Sequence, residues 1–446
     1  MFKEIPRYIE KALNILKNSG YEAFLVGGCV RDLIMGKTPN DYDITTNALP
    51  LQVKEIFNDF QTVDIGIKHG TVAVIIEKHN IEITTYRLDG KYTDNRHPES
   101  VVFVSNIADD LSRRDFTVNA IAYGDGELID PFNGQRDIEN KIIRCVGNPV
   151  KRFEEDALRI FRALRFSSVL NFSIEEKTKR ACFQMKENLK NITVERLHTE
   201  LNKMLLGSNI FSVLMEYYSI IGVIIPEIMP SVGFDQKTDY HLYDVWEHIA
   251  RTVTYSPKSL VVRLTMFLHD IAKPYVYTTD KFGSRHFFGH AEKSADLARI
   301  ILKRLKYDNK TIKTVTTLIR YHDHNNQNLN DPRIIKRLIS IIGEENFFLL
   351  LDIKVADTAA KSPLASYVFE KCEQTTYKVS KILKSDAAYR ISHLKINGND
   401  LKPLGFKGKK ISEMLNFLLN AVIEEEIENK KENLLIFAQK MLDKGF

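Results

Sequence analysis

The sequence is poor in cysteine, in long apolar runs and in low-complexity segments, and each shortage excludes a class of protein. Its 446 residues include four cysteines, which are far apart and form no CxxC pair: Cys29, Cys145, Cys182 and Cys372. A disulfide framework or a thiolate zinc site is therefore not expected, and a reducing compartment fits this composition. The most apolar stretches, such as YYSIIGVIIPEIMP and NFFLLLDI, are too short to span a membrane.

Other absences concern targeting and partners. The first twenty residues, MFKEIPRYIEKALNILKNSG, carry charges throughout an amphipathic pattern and have no small-residue cleavage site, so we do not expect a signal peptide. The sequence shows no solenoid repeat, no aromatic-rich RNP motif and no zinc knuckle. We expect a soluble cytoplasmic protein with no membrane contact and no obligate protein partner. Its formal charge of +5 permits a polyanionic partner without requiring one.

The hydrophobic periodicity changes near residue 148. From about 22 to 145, alternating and buried strand patterns are mixed with short helices, as in EAFLVGG, VRDLIMG and YDITTN. Beyond about 150 nearly all of the sequence has helical periodicity. The length suggests two to four domains. We therefore predict an α+β protein, with a mixed sheet and helices first and an all-α body after it.

The stretch FLVGGCVRDLIMGKTPNDYDITT, residues 24–46, combines features that suit a nucleotide and a metal ion. Asp41 and Asp43 are two residues apart, so on a strand they share a face. The Gly-Gly pair allows a phosphate to approach the backbone at a helix N-terminus, and Arg31 can cover a second phosphate. Glu82 on a later strand offers a third carboxylate. Magnesium uses such carboxylates together with substrate phosphates. Taken alone, either motif also fits an ordinary solvated strand.

The joint pattern of strand, Gly-Gly, Asp-x-Asp and a later strand acid resembles the nucleotidyltransferase signature of the DNA polymerase β superfamily. Further motifs resemble class II tRNA nucleotidyltransferases and bacterial poly(A) polymerases, and above all the bacterial CCA-adding type with an HD domain. They are LSRRDFTVNAIAY (111–123), LIDPFNGQRDI (128–138), EEDALRIFRALRF (154–166), RLDGKYTDNRHPESVVF (87–103) and INGNDLKPLGFKGKKISEML (396–415). The resemblance is nearly complete over 22–170, thins between 170 and 240, and returns near the C-terminus.

The resemblance implies attack of an RNA 3′-hydroxyl on the α-phosphate of CTP or ATP, with release of pyrophosphate. The expected partner is the 3′ end and acceptor stem of tRNA. Asp41 and Asp43 would bind two Mg²⁺ ions, with Glu82 as the third catalytic acid. Gly28, Arg31 and Arg114 would hold the nucleotide. Without its motif, Arg114 would be an ordinary surface charge.

Asp156 and Arg159 are three residues apart, so a continuous helix would place them on one face. Cytosine and adenine both present an amine donor beside a ring acceptor, which an aspartate and an arginine complement. Uracil and guanine present the reverse order, which leaves both protein groups mismatched. The resemblance assigns base selection to this pair, with Arg162 and Arg165 nearby on the nucleotide. The alternative is a solvated helix salt bridge.

Two alternatives to full CCA addition share these motifs. The segment 87–103 resembles a flexible loop that CC-only relatives shorten, so its length favours addition of the terminal A, although A-adding enzymes also keep it. It also fits a variable hairpin. Poly(A) polymerases share the head motifs, but the sequence has no long arginine-rich C-terminal extension. A noncatalytic binding module, or a protein whose head is inactive, disagrees with the intact aspartates and arginine.

Seven of the twelve histidines lie between residues 241 and 324. Together with a later aspartate, their order resembles the HD phosphohydrolase domain, in which His248, His269, Asp270 and Asp357 would bind one divalent ion. His290 and His322 would hold a second. Imidazole and carboxylate ligands together suit a transition metal better than magnesium. An HD fold that serves only as a scaffold is the alternative.

The resemblance also suggests the domain boundaries. We predict a nucleotidyltransferase head at 1–148, a helical templating and RNA-binding neck at 149–235, an HD domain at 236–375 and a helical tRNA-binding body at 376–446. The segments KGKKIS and KKENLL could contact the tRNA backbone. Lysine-rich helix ends are more often only solvated, so no contact residues are assigned.

Overall fold

The computed structural model of the chain describes residues 5–90, 101–324 and 328–446. It divides into two compact units, Met1–Pro226 and Glu227–Phe446. The finer division into four domains stays a prediction. Across the described ranges, every helix is too short or too polar to cross a lipid bilayer.

The strands of the first unit surround the candidate site. They are β1 (Ala23–Val26), β2 (Asp43–Thr46), β3 (Gln61–Gly66), β4 (Thr71–Ile76), β5 (His79–Thr85), β6 (Arg87–Asp89), β7 (Val101–Phe103), β8 (Ala122–Gly124), β9 (Glu127–Ile129), β10 (Ile142–Ile143) and β11 (Ser173–Ile174). Among the described residues, seven of them form one sheet in the order β3-β4-β5-β2-β1-β8-β9. Within this sheet β2 and β5 run parallel, and the other described pairs are antiparallel.

Helices flank this sheet and then continue the chain alone. The helices of the first unit are α1 (Arg7–Asn18), α2 (Gly28–Ile34), α3 (Pro50–Ile56), α4 (Ile107–Ser112), α5 (Gly134–Glu139), α6 (Pro149–Glu155), α7 (Leu158–Leu170), α8 (Glu176–Met185), α9 (Val194–Leu205) and α10 (Ile210–Ile224). On one side of the sheet, Ile107 and Leu111 of α4 pack with Val26, Ala122 and Tyr86 in a buried apolar cluster. Burial of these side chains fixes the strands that carry the site.

The second unit is almost entirely helical. Its helices are α11 (Val245–Tyr255), α12 (Leu260–Leu268), α13 (Lys273–Val276), α14 (His290–Arg304), α15 (Asn309–Tyr321), α16 (Pro332–Ile342), α17 (Glu344–Ala359), α18 (Tyr367–Lys384), α19 (Gly398–Leu401), α20 (Lys409–Ile423) and α21 (Lys431–Asp443). A short hairpin joins β12 (Thr278–Thr279) to β13 (Arg285–His286). A separate apolar core between residues 388 and 438 is built around α20 and α21.

The predicted α+β class, with a sheet first and a helical body after it, is confirmed by this architecture. The helical periodicity does not reveal the β12–β13 hairpin, because each of its strands is two residues long. It also does not reveal the break between α6 and α7. Both interruptions lie beside candidate functional residues.

Candidate functional site

Asp43 and Glu82 face each other across two neighbouring strands of the main sheet. Asp43 begins β2, and its Cα is paired with that of Glu82 in the parallel ladder with β5. Both side chains are exposed at the sheet surface. Because directly opposed residues of paired strands point to the same side, these two carboxylates project together.

The expectation that Asp41 lies on the same strand is wrong. β2 starts at Asp43, and Asp41 lies in the bend before it. The ladder with β1 stops at the pair Val26 and Asp43, because β1 ends there and Gly27 turns the chain away. Asp41 therefore has no strand partner to align it, although it remains close enough for its charge to affect Asp43.

The backbone at Gly27 lies close to the side chains of Asp43 and Arg114. Its φ of 82° and ψ of −134° are accessible almost only to glycine, and it forms the N-terminal boundary of α2. A Cβ at this position would lie 3.1 Å from Nη1 of Arg114 and 4.0 Å from Oδ2 of Asp43. Gly28 begins α2 itself, and a Cβ there would meet Arg31 Nη2 at 3.6 Å.

The electrostatics of Asp43 favour binding of a cation. Desolvation raises the pKa of its carboxyl, the nearby charges of Glu82 and Asp41 raise it further, and Arg114 opposes them. Carboxylate oxygens are the ligands that Mg²⁺ prefers, and a nearby cation relieves the mutual repulsion of these acids. Asp41, Asp43 and Glu82 thus fit the ion that the sequence predicts.

Two arginines near Gly27 and Asp43 donate hydrogen bonds to buried acceptors. Arg31 donates from Nη1 to Oδ1 of Asn119 at 2.7 Å and also pairs with Asp32. Arg114 donates to Oδ2 of the buried Asp110 at 3.2 Å, and Arg113 donates to Oδ1 of the same carboxylate. Each guanidinium is therefore oriented by neighbouring protein groups.

Asp156 and Arg159 do not lie on one continuous helix, contrary to prediction. α6 ends at Glu155, and Asp156 has extended backbone angles of φ −146° and ψ 102°. Its Oδ1 accepts a hydrogen bond from the N–H of Leu158 at 3.0 Å, at the start of α7. A short polar side chain that bonds an early helical N–H in this way favours a helix start, so the chain breaks here.

Each of the two residues also bonds to other groups around the helix junction. Oδ2 of Asp156 accepts from Nη2 of Arg196 on α9 at 2.6 Å. Arg159, 8% exposed, donates from Nη1 to Glu155 at 2.6 Å, and from Nη2 to the carbonyl oxygen of Arg113 at 3.2 Å. The structure therefore presents two fixed, oppositely charged groups at one helix junction.

Arg162 and Arg165 extend this network along α7. Arg162 Nε donates to Oδ2 of the buried Asp115 at 2.7 Å, while Arg165 Nε donates to the buried Glu200 of α9. The guanidinium of Arg165 also lies 3.7 Å from the ring centroid of Phe166. Burial alone would raise the pKa of Asp115, but Arg162 and its other hydrogen-bonding neighbours hold it at about 2. Asp115 thus remains ionised at all ordinary pH values.

The predicted loop 87–103 is described only in part. β6 and β7 form its base, with Arg87 opposite Phe103 and Asp89 opposite Val101. Residues 91–100 lie outside the described ranges.

In the second unit, the structure brings all six predicted HD residues together. His248 Nε2 lies 3.1 Å from Oδ1 of Asp357 and 3.4 Å from Nε2 of His269. Within the described residues, two triads have ligand atoms that all lie within 4.8 Å of one another. They are His248, His269 and Asp357, and His269, Asp270 and His322.

Asp270 lies between two pairs of imidazoles. Its Oδ2 is 3.4 Å from Nε2 of His248 and 3.2 Å from Nε2 of His269. Its Oδ1 is 3.4 Å from Nε2 of His290 and 3.6 Å from Nε2 of His322. Oδ1 is buried and accepts no hydrogen bond. A buried carboxylate oxygen that faces two imidazole nitrogens without a donor fits a bound cation.

The backbone orients each imidazole. Nδ1 of His269 lies 2.7 Å from the carbonyl oxygen of Met266, and those of His290 and His322 lie 2.7 and 2.6 Å from the carbonyl oxygens three residues earlier. Nδ1 of His248 lies 3.2 Å from the carbonyl oxygen of Ala360. Since carbonyl oxygens only accept, each Nδ1 is the donor, and Nε2 faces the centre.

Two lysines and an open cavity complete the cluster. Lys273 lies 2.7 Å from Oδ2 of Asp270, and Lys361 lies 2.6 Å from Oδ2 of Asp357. Burial would lower the pKa of His269, but Asp270 and Asp357 raise it to about 9. A proton therefore competes for the position that a metal would take. A cavity of about 700 Å³ opens beside Asp270, His290 and both lysines.

Several supporting residues were not identified from the sequence. In the first unit they are Asp110, Asp115, Asn119, Glu155, Arg196 and Glu200. In the second unit they are Lys273, Lys354 and Lys361. Some lie inside motifs that the sequence analysis quotes, as Asp115 does in SRRDF and Lys273 in HDIAK. Arg196 and Glu200 are on a helix 40 residues from the acid that Arg196 holds, so no local pattern marks them.

Known protein families match residues in both units. Residues 23–144 match the poly(A) polymerase head domain, and residues 287–438 match tRNA nucleotidyltransferase domain 2. Residues 171–231 match a region of polymerase A described as an RNA- and SrmB-binding site.

Individual relatives match over the whole chain. The CCA-adding enzyme of Enterococcus faecalis is 34% identical over 447 residues, covering 99% of this chain and 98% of the relative. The crystal structure of the Bacillus stearothermophilus CCA-adding enzyme with CTP has a TM-score of 0.71 at 28% identity, with 99% of both chains covered. The Thermotoga maritima CCA-adding enzyme with tRNA has a TM-score of 0.62 at 22% identity, covering 98% of this chain and 96% of that one, which shows a shared fold.

Proposed function

The chain belongs to the family of CCA-adding enzymes, and on that premise we propose that it adds cytidine, cytidine and adenosine to the 3′ end of tRNA, using CTP and ATP. The observation that carries this proposal is the geometry around Gly27. There the paired acids Asp43 and Glu82, the arginine Arg114 and the N-terminus of α2 come together at the central strands of the sheet. Acids, arginine and free helical N–H groups are what a metal-bound triphosphate requires.

In this proposal Asp41, Asp43 and Glu82 hold Mg²⁺. When bound, the metal neutralises charge on the triphosphate and favours deprotonation of the attacking hydroxyl. Gly28 allows the triphosphate to approach the first turn of α2, while Arg31 and Arg114 neutralise its oxygens. Transfer to the RNA 3′-hydroxyl then depends on alignment, because phosphoryl transfer asks little covalent chemistry of the protein.

Base choice follows from the charges at the α6–α7 junction. A carboxylate at Asp156 accepts from the exocyclic amine of cytosine or adenine, and the guanidinium of Arg159 donates to the adjacent ring acceptor. Arg162 and Arg165 lie on the next turns of α7. Uracil and guanine would place a carbonyl against the carboxylate and an N–H against the arginine, which leaves buried polar groups unpaired.

The length of the product tests this function. We would offer tRNA transcripts that end before CCA, after C and after CC, with CTP and ATP separately and together. Growth that stops when the CCA end is complete on each substrate supports the proposal. Long adenosine ladders would instead identify a poly(A) polymerase, and growth on the CC-ending transcript alone would identify an A-adding enzyme.

A second function is favoured by the buried oxygen of Asp270. We propose that the second unit is an HD-type domain holding two divalent transition-metal ions, and that it hydrolyses phosphate esters. His248, His269 and Asp357 would bind the first ion and His290 and His322 the second, with Asp270 shared between them. Bound metal would supply a nucleophilic hydroxide, and the cavity beside Lys273 and Lys361 has room for an anionic ester.

This second activity has its own test. The full chain, stripped by a chelator and reloaded with Ni²⁺, Mn²⁺ or Co²⁺, is assayed with bis-p-nitrophenyl phosphate and with 2′,3′-cyclic nucleotides. The His269→Ala variant should lose hydrolysis, and His393→Ala, outside the cluster, should retain it. Equal hydrolysis by both variants would contradict the proposal. CCA addition and this activity should be separable, and both are proposed to occur in the cytoplasm.

A further inference from the structure

Lys354 is the most deeply buried lysine among the described residues. Its position beside the proposed metal cluster offers a reason for this burial. It lies within the apolar helix α17 and is 1% exposed. Lysine is almost never buried unless it is paired, because its ammonium loses its hydration. A compensating interaction must therefore surround the ammonium.

That interaction is with the end of a neighbouring helix. Nζ of Lys354 donates to the carbonyl oxygens of His322 and His324, both at 2.9 Å. These carbonyls follow the last residue of α15, Tyr321. Carbonyl groups at a helix C-terminus lack helical donors and lie at the negative end of the helix dipole. The ammonium thus caps α15 from inside the protein.

The cap fixes a residue of the metal cluster. His322 is held at its ring by the hydrogen bond from Nδ1 to the carbonyl of Ile319 at 2.6 Å, and at its own carbonyl by Lys354. Between these two anchors, Nε2 of His322 faces Asp270 and His290. Without the second anchor, the backbone that carries the imidazole would be free to shift.

One turn of α17 serves both halves of the cluster. Asp357 follows Lys354 by three residues on this helix, and its carboxylate faces His248 and His269. α17 therefore contributes a ligand to the first metal position and supports the backbone of a ligand to the second. This arrangement accounts for a charged residue in the middle of the run NFFLLLDIKVADTA.

We propose that Lys354 is a positioning residue for the second metal ion. It acts indirectly, by holding the backbone of His322, whose imidazole would bind that ion. This inference rests on the two-metal site proposed for the second unit. Residues that orient metal ligands from outside the coordination sphere typically change metal affinity by about 10- to 100-fold. Loss of the clamp should lower the affinity for the second ion by a factor in that range and leave the affinity for the first ion unchanged.

Cobalt binding to the full chain tests this inference. The wild-type protein, freed of metal, is titrated with Co²⁺ by calorimetry, and bound metal per chain is measured by elemental analysis. Lys354→Met keeps the side-chain length without the charge, and should bind one tight Co²⁺ and a second about 10- to 100-fold more weakly. His322→Ala should give the same pattern, with one tight Co²⁺ and a weakened second one. Lys384→Met, at the exposed end of α18, is the matched control and should bind two.

A second substitution keeps the test decisive if Lys354→Met does not fold. Lys354→Arg retains a cation and donors, but its longer head cannot keep both bonds in place, so it should weaken the second ion to an intermediate degree. Lys354→Met with two wild-type affinities, or equal weakening of both ions in either variant, would overturn the inference. A wild-type chain that binds fewer than two ions would instead overturn the proposed metal site.

Discussion

Asp43 and Glu82 are paired across the parallel strands β2 and β5, so two acids from distant parts of the sequence project from one surface of the sheet. β2 is also paired with β1 on its other side, which ends at the glycine turn. The two acids are thus aligned by the backbone hydrogen bonds of the sheet. Four predictions follow the consequences of this arrangement and of its surroundings.

Asp43→Asn should abolish most nucleotide addition without unfolding the chain. The amide cannot supply the negative charge that a bound cation needs, and such a loss amounts to several kcal/mol of transition-state stabilisation, or at least about a hundredfold in rate. Single-turnover addition of CMP to a tRNA transcript measures it. Asp59→Asn, an exposed acid of the same unit, is the control and should keep wild-type rates. Retention of more than a tenth of the rate would speak against metal binding by Asp43.

Gly27→Ala should impair nucleotide binding more than it impairs folding. The added Cβ would press on Nη1 of Arg114 at 3.1 Å, and the φ of 82° is strained for alanine by about 1–3 kcal/mol. We expect the KM for CTP to rise about tenfold as the guanidinium is displaced. Gly20→Ala is a matched control, because Gly20 has a φ of 84° and open space around it. Equal effects of both variants on KM would show that backbone strain alone is responsible.

Two substitutions of Asp156 should distinguish its role in base selection from its role at the start of α7. Asp156→Ala removes both the carboxylate and the acceptor for the N–H of Leu158, whereas Asp156→Asn keeps an acceptor. Both variants should lower the preference for CTP over UTP, measured as a ratio of kcat/KM. The alanine variant should also lose about 1 kcal/mol of stability. If all four nucleotides slow equally in both variants, Asp156 does not read the base.

Asp115 should make the stability of the first unit depend on pH. Its pKa of about 2 in the folded chain lies below its ordinary value of 3.8, so its ionised form stabilises the fold above about pH 4. This contribution of about 2 kcal/mol disappears as the pH falls through about 2. Asp115→Asn should therefore lower stability at pH 7 and have little effect near pH 2. Hydrogen exchange of peptides from α7 measures the difference.

The control for Asp115 is an exposed pair in the same unit. Asp125 contacts Lys17 at 2.5 Å, and its side chain is 73% exposed. Asp125→Asn should change stability by less than about 1 kcal/mol, because solvent screens such pairs. An effect of Asp115→Asn that is the same at pH 7 and pH 2 would show that ionisation of this carboxyl contributes nothing.

The sequence predicts those parts of the site that depend on local patterns. The strand, the glycine turn and α2 follow from apolar periodicity and from Gly-Gly. The resemblance of the histidine order to an HD domain indicates the residues that the second unit brings together. The turn is predictable because residue type and backbone geometry are directly linked there. The histidine cluster is predictable because its residue types follow one another in the order of an HD domain.

Other parts depend on long-range pairing, which a single sequence does not contain. The start of β2 at Asp43 is set by where β1 ends, so the strand that the sequence predicts at Asp41 has no partner in β1 there. The break before α7 arises because Asp156 bonds the backbone of Leu158 instead of continuing the helix. The partner of Asp156 is Arg196, 40 residues away, since the packing of α9 on α7 outweighs proximity in sequence.

Three imidazoles of the second unit take their orientation from a carbonyl oxygen three residues earlier in the chain. The orientation of each ring about its own backbone is therefore set by the short segment that carries it. Under the metal binding proposed for the second unit, ligands held by the backbone in this way would bind and release an ion with little rearrangement. The occupancy of the site would then follow the concentration of free metal around the protein.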